Sequence, residues 1–410
     1  MNNWNAKEWL EQARVAQDIS EPLKAVFKNT KDIVSNRKYT LYNDNTILLP
    51  NKPHSHFINK GIPQQLTQPP TYSNTIILLT DDDCLKFADY LIRKKAMNPA
   101  VMILGSIDQP GGGVIDGRIP QEEDIYRRTN IYEEMFKYSK RRGIKSHYKC
   151  QYPLNEDFGL VFIEDVCVFR GTREEGYKLL EKPFTTNFFS VSAPNNHSGN
   201  DLNNAMKTSI TNKLRNSFNA ALKYGCDSLV LGALGCDDYK NPPHQVASLF
   251  HQIITEYEGM FKVILICIPK DKICLGKNVF DTFYNEFKDC LTDYLEDDES
   301  TQKYTEGSII DTHYGKYERS QMAKKKCLEH YGYICQVCKI DYVKKYGQEI
   351  GKSVIEVHHL DPIHGFHGKS HTVDPIEDLR PVCSNCHSIL HSKSKDVPYT
   401  IDEAQKLMNK

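Results

Sequence analysis

The stretch Glu356-Val357-His358-His359-Leu360 lies between two Cys-x-x-Cys pairs, Cys335/Cys338 and Cys383/Cys386, with His387 and His391 just beyond. Four thiols in two knuckles form the ligand set of one tetrahedral zinc, each sulfur about 2.3 Å from the ion. Two residues between cysteines let a tight turn aim both sulfurs at one point. The histidines are then left for other work. His387 and His391 are four apart, so on a helix they share a face and can grip one cation together. His358 and His359 are adjacent, so on a strand they point to opposite faces. One can join that cation and the other can act as a base. A hard, water-bearing cation beside an imidazole base is equipment for cleaving a phosphodiester. The four cysteines alone would equally make a purely structural zinc ribbon; the His-His dyad and the His-x3-His pair argue for a second, catalytic metal.

From about Glu318 to His391 the chain resembles the HNH (ββα-metal) endonucleases of the cysteine-bearing kind. The motif reads Cys335-x2-Cys338, Glu356-Val-His358-His359-Leu-x-Pro362, then Asp378-Leu-Arg380-Pro-Val-Cys383-x2-Cys386-His387-x3-His391. The resemblance implies a structural zinc on the four cysteines. It also implies a catalytic divalent metal, Mg2+ or another, on His358, His387 and His391, with His359 as general base and DNA as partner. Asp378 stands where the family usually has an asparagine that orients the base. A carboxylate can accept from the imidazole N–H and raise its basicity. Lys324, Lys325, Lys326, Lys344 and Lys345 are candidate phosphate contacts, although a lysine run is usually a solvated face.

With 410 residues the chain is long for one domain, and two are expected. The net charge of −1 points to no nucleic acid or membrane surface by itself. Of 13 cysteines, nine lie outside the knuckles without paired spacing and mostly in apolar runs. That usage belongs to a reducing compartment, where cysteine is a small core residue. The first residues show no secretory signal pattern, and the apolar runs are too short to span a bilayer. A cytoplasmic protein without membrane contact is the expectation.

Ile76–Leu79, Ala100–Leu104, Leu160–Phe169, Phe188–Ala193, Ser228–Leu231 and Lys262–Ile268 read as strands. Met206, Ile210, Leu214, Phe218, Ala221 and Leu222 follow helical spacing, as do Val246, Leu249, Phe250, Ile253, Ile254 and Tyr257. Strands separated by helices of this length predict an α/β layered domain over residues 1–290, with an N-terminal extension. A polar linker follows at 291–315 and the small metal-binding domain at 316–410. Residues 1 to 70 carry a first helix and proline-rich turns but no recognisable chemistry.

Within the first domain, Pro110-Gly111-Gly112-Gly113 is followed after seven residues by Gln121-Glu122-Glu123. Three glycines after a strand let backbone pass close to a ligand, with amides free to meet phosphate oxygens. Either feature alone is commonplace. Together they resemble the catalytic signature of bacterial-type poly(ADP-ribose) glycohydrolases, whose fold is an ADP-ribose-binding macrodomain with a mixed sheet between helical layers. Arg127-Arg128-Thr129-Asn130-Ile131-Tyr132, Val168-Phe169-Arg170-Gly171 and Ser192-Ala193-Pro194-Asn195 agree with it, over roughly residues 75 to 285. Leu231-Gly232-Ala233-Leu234-Gly235-Cys236 resembles the second phosphate loop.

The resemblance implies that Glu123 protonates the leaving oxygen of a ribosyl bond and then activates water, while Glu122 helps hold the ribose. Gly111, Gly112, Gly113, Gln121, Gly232, Gly235 and Cys236 would contact the nucleotide. Two departures weaken catalysis in this reading. Asp237 and Asp238 follow Cys236 where the family tends to have small residues. A carboxylate about 4 Å from a phosphate is repelled by about 1 kcal/mol in water and about 4 at a protein surface. Ser106 stands where asparagine is expected.

The expectation is therefore a two-module protein. Its HNH nuclease cuts DNA, and its macrodomain-like module binds or processes an ADP-ribose-type nucleotide. By analogy alone such a pairing suits bacterial antiviral defence. The alternatives are an ADP-ribosyl glycohydrolase that the HNH module targets to nucleic acid, and a non-enzymatic zinc-stabilised adaptor.

Overall fold

The computed structural model describes residues 4–50, 52–59, 69–143, 148–292, 304–306, 321–360, 371–393 and 399–408. The chain divides into two compact units, Met1–Leu295 and Glu296–Lys410. Most of the expected linker at 291–315 lies outside the described residues, as does Pro362.

A seven-stranded sheet forms the first unit. In chain order its strands are β1 (His54–Ile58), β2 (Ile76–Thr80), β3 (Pro99–Leu104), β4 (Leu160–Arg170), β5 (Leu179–Val191), β6 (Ser228–Leu231) and β7 (Val263–Cys267). Their spatial order is β1-β4-β5-β3-β6-β7-β2. β5, β3, β6, β7 and β2 run parallel, while β1, β4 and β5 pair antiparallel. The sheet is mixed, as the resemblance implied. All six strands read from the sequence are present. β5 begins nine residues before its apolar run because its first half, Leu-Leu-Glu-Lys-Pro, is partly exposed. β1 was not legible, since an edge strand of half-exposed His-Ser-His-Phe-Ile carries no continuous apolar signal.

Side chains alternate across a strand, and β3 sorts its neighbours accordingly. Ala100 and Met102 face Ile210, Leu214 and Phe218 of α5 (Asn204–Lys223) and Val246, Phe250 and Ile253 of α6 (Pro243–Glu256). Val101 and Ile103 face Leu85, Ala88 and Leu91 of α3 (Cys84–Lys95) and Ile125 and Tyr126 of α4 (Gln121–Arg128). Because these central strands bury both faces they read as unbroken apolar runs, which is the mark of a parallel sheet between helices.

Residues 1 to 70 do carry structural weight. α1 (Ala6–Val15) and α2 (Ser20–Asn36) pack Trp9, Leu23 and Val26 against Tyr177. The fully buried Arg170 donates to Thr30 Oγ1 at 3.1 Å, to Asn29 Oδ1 and to the Tyr177 carbonyl at 3.1 Å. Burial holds its guanidinium down, to about 9.

The second unit is built on two antiparallel strands, β8 (Ile355–His359) and β9 (Leu379–Cys383), followed by α9 (Ser384–Leu390). Two helical segments, α7 (Gln321–Tyr331) and α8 (Tyr342–Ser353), precede β8. Its main core cluster is Cys335, Val337, Ile355, Val382, Cys383, Cys386, Leu390 and Ala404, three of them cysteines of the knuckles. So little apolar surface cannot by itself offset the chain entropy of folding.

Two candidate active sites

In the first unit, the parallel strand β3 delivers the chain to Gly105 and the glycine loop, and α4 then returns along the sheet end with the carboxylates. α4 is fixed at both ends. At its start, the Gln121 side chain accepts from the Leu104 amide at 2.8 Å and donates to the Met102 carbonyl at 2.9 Å. At its end, the buried Arg128 clasps Asp83 at 2.6 and 2.8 Å and Asp124 at 3.0 Å. Gln121 thus ties the start of α4 to the strand through both its amide oxygen and its amide nitrogen.

The glycine loop wraps the two glutamates. Gly111 and Ser106 amides donate to the two carboxylate oxygens of Glu122, each at 2.8 Å, and the Gly113 amide donates to Glu123 Oε1 at 2.7 Å. Ser106 contributes through its backbone, so serine in place of asparagine leaves this contact intact. Gly111 and Gly112 adopt φ of 73° and 44°, a region that favours glycine. A Cβ on Gly112 would lie 2.5 Å from Glu123 Oε1 and 3.1 Å from Glu122 Oε2. Gly112→Ala should therefore cost about 1–3 kcal/mol of stability, read by urea unfolding. An unchanged midpoint would mean the loop is not held against the carboxylates.

Burial, and secondarily the Glu123 charge, raises the Glu122 carboxyl to about 8. Burial also raises Glu123 above its ordinary range, against the pull of the Gly113 amide. Both groups are thereby biased towards the protonated form, the state a general acid needs. Arg142 and Gln109 were not legible as parts of this site. Arg142 donates to the Pro110 carbonyl at 3.1 Å and to that of Gly112, which also accepts from Gln109 Nε2 at 2.9 Å. No sequence spacing marks them, because they act on backbone.

On the second loop, Gly235 takes φ of 75°, and a Cβ there would lie 2.2 Å from Asn241 Nδ2. The Cys236 side chain is buried in the core, where desolvation raises its thiol, so only its backbone is offered to a ligand. Gly232 packs its open face against Leu104. Asp237 is half-buried and accepts from the Tyr239 amide at 3.3 Å, and Asp238 is exposed.

In the second unit, β8 alternation separates the dyad as expected. His358 is buried and meets His387 and His391, with ring centroids 5.2, 5.0 and 4.9 Å apart in the trio. One ring nitrogen of each lies within 4.8 Å of the others, and the four knuckle thiols are gathered to the same limit. Four soft thiolates suit tetrahedral zinc, and three imidazoles form a ligand set that a borderline divalent metal accepts. These two are the metal-competent clusters among the described residues.

Glu356 shares the His358 face of β8, and its Oε2 lies 2.5 Å from His387 Nδ1. Although burial opposes it, hydrogen bonds from Ser384 and His387 hold Glu356 below the ordinary carboxylate range. It is placed to fix the His387 ring, as a carboxylate behind a ligating histidine does. The i, i+2 spacing from His358 was the available signal. His359 faces the other way, opposite Leu379 on β9. Asp378 precedes that partner, and its Oδ2 accepts from the Asp374 amide at 2.8 Å. Lys324, Lys326, Lys344 and Lys345 are exposed, whereas the Lys325 side chain lies outside the described residues.

Residues 27–171 match the family described as microbial-type PARG, catalytic domain, and residues 335–393 match the HNH endonuclease family. The first match begins well before the glycine signature, and takes in most of α2. A search of curated proteins gives no match. Among solved structures, poly(ADP-ribose) glycohydrolase from Thermomonospora curvata is similar in fold. Its alignment has a TM-score of 0.53 and 22% identity, covering 65% of this chain and 100% of that one. The same enzyme bound to the inhibitor ADP-HPD aligns with a TM-score of 0.52 and 23% identity over the same shares. The chain thus carries a microbial-type poly(ADP-ribose) glycohydrolase catalytic domain at its N-terminal end and an HNH endonuclease domain, with its four-cysteine cluster, at its C-terminal end.

Proposed function

We propose that this protein is a divalent-metal-dependent endonuclease acting on DNA, coupled to a domain that binds a terminal ADP-ribose group through its two glycine loops. The observation that carries the nuclease reading is the gathering of His358, His387 and His391 within 4.8 Å, while His359 faces the opposite side of the same strand. The three imidazoles would hold the cation, which supplies Lewis-acid stabilisation of phosphoryl charge when bound. Glu356 orients His387. His359 takes the proton of the attacking water, and Asp378, beside it across the strand pair, is the candidate to orient that base. By analogy we place the protein in bacterial antiviral defence, with zinc in the cysteine site.

Incubating plasmid with the purified chain and divalent metals, with and without ADP-ribose, tests this reading. His359→Ala should abolish nicking while the protein retains metal, and His387→Ala should lose the catalytic metal. Equal metal loss in both variants would show that the base is misassigned.

A second reading, ribosyl hydrolysis, is favoured by the raised carboxyl pair on the glycine cradle. Here Glu123 protonates the leaving oxygen of the ribosyl bond and then takes a proton from water, while Glu122 accepts from a ribose hydroxyl. Asp237 and Asp238 oppose the pyrophosphate and favour binding over turnover. Calorimetry with ADP-ribose and ADP separates the cases, since absence of heat with either would leave the domain without a nucleotide role.

A further inference from the structure

α8 is not one straight helix. Gly347 takes φ 81° and ψ 170° and breaks it into two arms. The second arm folds back so closely that a Cβ on Gly351 would lie 2.4 Å from the Tyr342 carbonyl oxygen and 2.6 Å from Val343 Cα. Only glycine fits at that crossing, and the close contact fixes the angle between the arms. The bend opens a cleft of about 210 Å³ walled by Tyr342, Tyr346, Ile350 and Val354 and floored by the knuckle residue Cys383 with Ser384 and Asn385.

Tyr346 and Ile350 are 46% and 58% exposed, although both turn large apolar surface to the cleft. The Tyr346 ring tilts against that of Tyr342, with centroids 5.5 Å apart, and leaves the rest of its surface open. The volume falls below the roughly 300–1,000 Å³ of a site for a drug-sized ligand, and suits a single flat ring system. The walls offer an aromatic face and aliphatic surface, and the floor offers a hydroxyl and an amide able to meet polar ring edges.

The surroundings narrow the occupant further. Lys344, Lys345 and Lys352 are exposed on the same bent helical segment, with Lys345 Nζ 5.2 Å from the Tyr346 ring centroid. Asp341, which caps the helix, and the exposed Glu349 offset them in part. Ser384 and Asn385 open α9, which carries His387 one turn on, about 5 Å along the axis. A ring seated in the cleft would have its attached backbone beside both the lysines and the imidazole cluster.

We propose that this cleft receives an unpaired nucleobase of the DNA, stacked on Tyr346, so that the nuclease engages single-stranded, bulged or locally opened substrate. The proposal rests on the nuclease reading of this unit. Stacking of a base on an aromatic side chain is independent of sequence and sets a preference for unpaired strands.

The test uses the full chain with its zinc in place and no added divalent metal, so that binding is read without cleavage. Oligonucleotides carry 2-aminopurine in a single-nucleotide bulge, with a fully paired duplex as comparison. Wild type should bind the bulged DNA more tightly than the duplex and quench its emission. Tyr346→Ala should weaken bulged binding by about 5- to 150-fold, with little effect on duplex, and Tyr346→Phe should restore it. Ile350→Glu should weaken it as Tyr346→Ala does, with zinc content unchanged in all variants. If plasmid is cut but the two DNAs bind equally and Tyr346→Ala changes neither binding nor emission, the nuclease reading stands and the proposal falls. The cleft would then belong to an apolar side chain of a protein partner. If no DNA is bound or cut, the nuclease reading fails and the proposal fails with it.

Discussion

Exchanging Cys338 for serine should unfold the C-terminal unit from about residue 321 onward and leave the N-terminal unit with its own melting transition. The cluster formed by Cys335, Cys338, Cys383 and Cys386 ties the turn before α8 to the end of β9 and the start of α9. Three of these cysteines sit among the eight buried residues of the main core there, so the metal site and the core are the same object. For structural zinc in small modules, about 10–16 kcal/mol of apparent binding free energy is folding free energy. Losing one thiolate therefore removes more than the few kcal/mol by which such a module is stable. Metal analysis, circular dichroism and limited proteolysis read the outcome. A wild-type protein free of zinc, or a serine variant protected from protease beyond residue 321, would overturn it.

Glu123→Ala should lower turnover of a ribosylated substrate by at least about a hundredfold while ADP-ribose still binds, because a positioned general acid contributes roughly 10²–10⁴. The backbone cradle explains why binding survives. Gly111, Gly113 and Ser106 amides hold the carboxylates at 2.7–2.8 Å, and the nucleotide contacts proposed at Gly232–Cys236 do not involve the Glu123 side chain. Turnover should also decline as pH rises, because burial holds the carboxyl of Glu123, the assigned acid, above its ordinary range; the stability of the domain follows its neighbour. Burial and the Glu123 charge raise Glu122 from its ordinary 4.5 to about 8, so the folded pair holds a proton that the unfolded chain has already released. Stability from Glu122 is complete below about pH 4.5 and is lost as pH climbs through about 8. A rate that rises with pH, or a Glu123→Ala enzyme within tenfold of wild type, would sink the acid role. Robust release of ADP-ribose by the unmodified protein would show that Asp237 and Asp238 do not restrain catalysis.

The four cysteines, the His-His dyad and His387-x3-His391 were legible because metal ligation fixes residue type and local spacing together. β3, β6 and β7 were legible because strands buried on both faces are uninterrupted apolar runs. β1 and the anchoring roles of α1 and α2 were not. His54–Ile58 is half-exposed, and Thr30 and Asn29 acquire meaning only when Arg170, some 140 residues away, is buried against them.

By itself the sequence determined which chemistry-bearing residues this protein has: two glutamates after a glycine triplet, four thiols, and two pairs of histidines. Those choices are local and survive reading in one dimension. Tertiary structure alone decided what surrounds each of them. It set Ser106, Arg142 and Gln109 on the glycine loop, tied Gln121 to β3, and put Glu356 behind His387. It also bent α8 at Gly347 into a cleft. The physical reason is that hydrogen bonds to backbone, desolvation of a carboxyl and the crossing of two helical arms depend on distance in space. No residue spacing along the chain encodes these distances.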